Sequence, residues 1–118
     1  MGFREHLEEI CQVDGAVAAS VMGFDGIAID TVTAPNQAVD AETLMIEYSG
    51  ILGQVRKAAE LLKAGDLTEL TIGTERMTTH LRPIDSEFFL VLAMSPAGNY
   101  GKGRYLLRVK APKLKDEL

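Results

Sequence analysis

Cysteine occurs once in the 118 residues, at Cys11. A lone thiol excludes an internal disulfide and makes a reducing compartment the default. No run approaches the ~20 apolar residues of a membrane span. Glu5, Glu8 and Glu9 stand where a signal peptide needs its apolar stretch. Met1-Gly2 is followed by His6 rather than Ser or Thr, so the myristoylation pattern fails. The ending Lys115-Asp116-Glu117-Leu118 spells an ER-retention signal, read as coincidence because no entry signal accompanies it. A cytoplasmic location and no membrane insertion are therefore expected. Basic residues are outnumbered, 12 against 17 acidic, for a net charge of −5. That balance argues against a nucleic-acid partner. Histidine is scarce: His6 and His80 lie on different elements, and Cys11 is not at ligand spacing from His6. No metal or other cofactor is expected.

Catalytic patterns are missing as well. Ser20, Ser49, Ser86 and Ser95 lack the glycine-flanked elbow of a hydrolase, and nothing pairs a nucleophile with a base. The stretch Gly98 to Gly103 follows a strand and opens a helix, which suits an anion, but Pro96 and Gly103 spoil the Walker spelling. The expected role of that loop is structural, with Gly101 and Gly103 letting the helix start lie close on the sheet. Cys11 is expected as a small core residue and His80 as a strand surface residue. No catalytic residue is named.

The most organised stretch runs from Asp40 to Gly65 and predicts one long helix, roughly 36 Å from end to end. Asp40 suits an N-cap, Glu42 the positive helix start, and Gly65 a left-handed C-cap beyond Lys63. Leu44, Tyr48, Leu52, Val55, Ala59 and Leu62 predict its buried stripe. Met45, Ile51 and Ala58 widen that stripe beyond what one sheet face needs. Gly50 and Gly53 inside the helix suggest the close approach of another backbone. The helix is read as covering its own sheet and meeting a second copy of itself.

The remaining chain is short elements of one domain, residues 1–118, with no repeat or linker. Residues 1–13 predict a short helix. Ala16 to Met22 and Ile27 to Val32 predict a hairpin around Gly23-Phe24-Asp25-Gly26. A polar loop around Pro35-Asn36 feeds the long helix. Leu67 to Gly73, Arg76 to Ile84 and Phe88 to Met94 predict three strands. The last is apolar throughout, so helices should cover both faces of the sheet. Asn99 predicts a cap for a final helix from Tyr100 to Ala111, ended by Pro112. Residues 99–115 carry six basic side chains and no acid, among them Lys110. This is read as a solvated face, or as a docking strip for an acidic partner.

The order α-β-β-α-β-β-β-α resembles the roadblock/dynein-light-chain family. The stretch from Val13-Asp14-Gly15 through Ala16–Met22 to Asp25-Gly26 is similar to the family's opening turn, small-residue strand and hairpin. Phe89 to Met94 followed by Asn99-Tyr100-Gly101 and a basic helix is similar to its closing pattern. The compact form resembles the prokaryotic, MglB-like branch. The resemblance implies an α/β (α+β) fold, with a five-stranded antiparallel sheet between one long helix and two terminal helices, profilin-like in layout. It implies a homodimer, or a heterodimer with a paralogue, through Tyr48, Ile51, Val55, Ala58 and Leu62 of the helix and the edge strand holding Leu70, Thr71 and Ile72. It implies a non-enzymatic platform for a Ras-like small GTPase, with Glu47, Gln54, Arg56, Lys57 and Glu60 as exposed contact candidates. The family also supplies structural subunits of larger complexes, which is the alternative reading. A third is a small-ligand sensor using the Gly98–Gly103 loop. MglB-type proteins often extend further beyond the last helix, so activity that depends on such an extension is not implied.

Overall fold

The structure is a computed structural model describing residues 2–35 and 40–118. Part of the loop expected around Pro35-Asn36, residues 36–39, lies outside the described residues. The elements run α1 (Phe3–Ile10), β1 (Ala16–Gly23), β2 (Ala28–Thr33), α2 (Ala41–Leu61), β3 (Leu70–Gly73), β4 (Thr78–Pro83), β5 (Phe88–Met94) and α3 (Tyr100–Lys115). All neighbouring strands are antiparallel, in the order β2-β1-β5-β4-β3, which leaves β2 and β3 as the edges.

The central strands explain the layering. Every residue of β1 is buried, and so is β5 from Phe89 onward. Strands with two apolar faces need cover on both sides. On one side Leu90, Leu92 and Met94 meet Leu7, Ile10, Leu107 and Leu114 of α1 and α3. On the other, Phe89, Val91 and Ala93 meet Met45 and Leu52 of α2. The buried Ser20 hydroxyl is satisfied by the Asp30 carbonyl at 3.0 Å and by Thr31. Cys11 sits half-buried with its thiol toward the Val32 carbonyl. Burial pushes its pKa up to about 11, which leaves it an inert thiol near neutral pH.

The long helix starts as expected, with the Asp40 carboxylate accepting from the Thr43 N–H at 3.1 Å. It ends sooner. Lys63, not Gly65, is the first left-handed residue, at φ 55°. The Lys63 N–H bonds to the Glu60 carbonyl and the Ala64 N–H to the Ala59 carbonyl, the pair of bonds that closes a Schellman end. Lys63 therefore lies past the helix, and Gly65 follows in its own left-handed turn at φ 91°. The helix is also rotated from the expected stripe. Its buried residues are Met45, Ser49 and Leu52, while Leu62 is 77% exposed.

The last helix does not stop at Pro112 but runs to Lys115. A proline there removes one bond close to the end, where few later turns depend on it. Of the two helix glycines, only Gly103 makes a close approach: a Cβ would sit 2.8 Å from Met94 Sδ. Gly101 is exposed and meets only the tip of Asn99, so it has no such role.

Candidate functional site

The residues named for self-association fall on one flank of α2 and on the edge strand beside it. At about 100° per residue, Leu44, Tyr48, Ile51, Val55, Ala58 and Leu62 form one row. This row is next to the inward face of the helix rather than on it. Leu44 and Tyr48 pack partly against the core, together with Leu67, Leu70 and Ile72. Ile51 is 42% exposed, and Ala58 and Leu62 are open to solvent. In β3, Leu70 and Ile72 are half-buried and Thr71 is exposed. Leu70 pairs with Leu81 and Ile72 with Thr79 of β4, and the other backbone edge of β3 has no neighbour in the sheet. An apolar row beside an unpaired edge is thus present within each chain. Gly50 and Gly53 lie elsewhere, on the opposite flank by helical spacing, and among the described residues nothing beyond the helix's own backbone comes within 4 Å of a Cβ placed on either.

The five contact candidates do not form one patch. Glu47 and Gln54 are exposed on the outer face, and Lys57 and Glu60 turn toward the flank away from β3. Arg56, expected to be exposed, is half-buried and engaged. Its guanidinium carbon lies 3.5 Å from the centre of the Phe24 ring, and it donates to the Ser86 carbonyl at 2.9 Å. It joins α2 to the β1–β2 and β4–β5 turns and is not a free arginine.

The family model for the Roadblock/LC7 domain matches residues 2–93. The chain belongs to the Roadblock/LC7 family. MglC from Myxococcus xanthus is similar to it at 48% identity over 100% of both chains, with a TM-score of 0.74. The gliding protein MglB from Thermus thermophilus is similar at 22% identity and a TM-score of 0.86, over 97% of this chain and 86% of that one. An MglB solved in a tetrameric arrangement has 21% identity and a TM-score of 0.85, over 98% and 89%. No curated protein matches the chain. The MglB likenesses carry the fold, whereas the MglC identity extends along the whole sequence.

Two polar clusters on the α1/α3 side of this roadblock sheet escaped the sequence reading. Lys110 is 5% exposed rather than solvated; its ammonium bonds to the Glu9 carboxylate and lies 3.1 Å from His6 Nδ1. Burial, and then the Lys110 charge, hold the His6 pKa below its ordinary value. His80 is 3% exposed rather than on the surface. Its Nδ1 is 3.0 Å from Thr71 Oγ1, and Tyr100 meets the ring edge-on. Burial, then the neighbouring Arg104, lower its pKa too. The Tyr100 hydroxyl accepts from Thr78 and donates to the Pro96 carbonyl, each at 2.8 Å. The first cluster ties α3 to α1, and the second ties the start of α3 to β4. No group of three or more His, Cys, Asp or Glu among the described residues is arranged to hold a metal. Leu61, 79% exposed, was also missed. The doublet Leu61-Leu62 was its signal, since adjacent helix positions cannot both face one core.

Proposed function

We propose that this Roadblock/LC7 protein is a non-catalytic homodimeric adaptor that binds a Ras-like small GTPase and tunes its nucleotide cycle. The observation that carries the reading is the apolar row of α2 beside the open edge of β3. Leu62, Ile51 and Val55 of two copies facing each other, with β3 pairing its twin, would bury the row and remove the exposed edge together. Leu70, Thr71 and Ile72 then lie at the join of a continuous sheet. A paralogue with the same edge would fit in the same way.

The GTPase part rests on family membership and on the likeness to MglC and MglB. The outer face of α2, with Glu47 and Gln54, remains accessible in such a pairing and offers polar contacts. Such a partner places the protein in the cytoplasm. No described helix is long and apolar enough to cross a membrane. The test is affinity capture from the native cytosol with a GTP analogue or GDP, followed by mass identification. A small GTPase retained in one nucleotide state supports the regulator. Capture of larger proteins regardless of nucleotide contradicts it.

A further inference from the structure

His80 sits one strand in from the open edge of the sheet. Its cross-strand partners are Thr71 on β3 and Leu92 on β5. Tyr100 of α3 meets the ring with centres 5.8 Å apart. Leu92 and Tyr100 belong to the core that α3 covers. Thr71 does not: α3 packs on β4 and β5, and Thr71 is exposed. His80 is nevertheless buried, so β3 is what closes the ring's outer side.

That strand is lightly held. It is four residues long, pairs with β4 alone, and half-buries Leu70 and Ile72 against the α2 core. The Thr71 hydroxyl, 3.0 Å from His80 Nδ1, adds a side-chain bond across the pair. The other ring nitrogen, Nε2, is buried and has no partner among the described residues.

The ring is badly placed to carry a charge. The charged groups facing it are Arg104 of α3, Arg82 two residues along β4, and Glu69 just before β3. Tyr100 is the remaining titratable neighbour, and β5 offers none. Glu69 is already taken by both guanidiniums. A protonated imidazole would therefore lie near Arg104, out of water, with an Nε2–H that meets no acceptor. A buried charged donor without a partner is costly. Lifting β3 lets water reach it.

We propose that His80 is a proton-operated latch on the edge strand: the uncharged ring holds β3 on β4 through Thr71, and the charged ring releases it. Docked and released β3 are the two states, and a proton binds the released one better. Burial and then Arg104 hold the docked ring below the ordinary value of 6.5, so the latch loosens as pH falls below that value. Releasing β3 also removes the edge on which its twin would pair, so acid weakens the dimer. That consequence rests on the dimer reading, whereas the latch is complete in one chain.

The test is amide hydrogen exchange read by NMR at about pH 7.5 and 5.5, with sedimentation equilibrium on the same samples. A proton taken up on release weakens docking by up to ~tenfold at one pH unit below the ordinary histidine value. Protection of β3 amides relative to β1 should fall by about three- to tenfold, and the dimer dissociation constant should rise by at least about threefold. His80→Gln can still bond Thr71 but does not titrate, so it should abolish both changes, whereas His6→Gln should keep them. The His6→Gln protein retains one histidine of the two, so its ring resonances give the His80 midpoint with His80 itself intact. That midpoint should lie below 6.5 and coincide with the loss of β3 protection. Equal relative protection at both pH values, a response that survives His80→Gln, or a His80 midpoint apart from the loss would overturn the latch. A dimer with unchanged β3 protection fails the latch alone. A single chain at neutral pH fails the dimer reading, and β3 protection still decides the latch.

Discussion

Replacing Arg56 with alanine removes one guanidinium that ties three elements together. Its stack on Phe24 at 3.5 Å contributes about 1 kcal/mol, between the limits for exposed and desolvated pairs. Its bond to the Ser86 carbonyl contributes about 1 kcal/mol more once solvent competition is allowed for. Phe24 depends on this arrangement, since its ring packs on Phe89 with centres 5.0 Å apart and its N–H donates to Glu87. Arg56→Ala should therefore cost about 2 kcal/mol, or ~8 °C in melting temperature for a domain of this size. Urea denaturation at fixed protein concentration reads the loss, and Arg56→Lys should recover part of it. The same variant tests function. An arginine reaching a partner's active site is worth about 10³–10⁵ in hydrolysis rate, whereas a structural clamp predicts a change within about threefold at saturating protein. Unaltered stability with a collapse of the partner's hydrolysis would refute the clamp.

Leu62→Ala removes three carbons, about 2.4 kcal/mol if fully buried. With 77% of Leu62 exposed in the chain, about 1.8 kcal/mol per copy, or ~3.7 kcal/mol for the two copies of a dimer, should fall on association. The dimer should weaken by up to ~500-fold in sedimentation equilibrium, with the single chain nearly as stable as before. The two α3 glycines should respond with opposite signs in urea titration. Gly101→Ala gains up to about 1 kcal/mol of helix propensity, while Gly103→Ala loses roughly 1 kcal/mol because its methyl meets buried Met94 and Leu92. Stability should also fall as pH drops from about 7 to 5. His6 and His80 have folded pKa values below 6.5, so the unfolded chain takes protons first and folding weakens as pH falls through 6.5. A urea midpoint that stays constant between those pH values would contradict this linkage.

The strands and layers were legible because their signals are local. The unbroken apolar run Phe88 to Met94 maps onto β5 without a shift, and Asp40 and Asn99 cap the helices they precede. The rotation of α2 was not legible. Ser49 belongs to its inward face because its hydroxyl bonds to the Ile46 carbonyl at 2.7 Å, and a stripe built from large apolar residues passes over it. The row it picked instead, through Tyr48, Val55 and Leu62, is the flank next to the core, which is half-covered in a single chain. Lys110 and His80 were misplaced for another reason. Their burial depends on Glu9 and Tyr100, distant in sequence, and no local pattern announces a partner across the fold. The edge position of β3 came from the family resemblance, since strand order is not written in alternation.

The most direct test is sedimentation equilibrium of the purified protein across micromolar concentrations. The account predicts twice the 12.8 kDa chain mass, shifting toward the single-chain value in Leu62→Ala. A wild-type mass of 12.8 kDa throughout would contradict it.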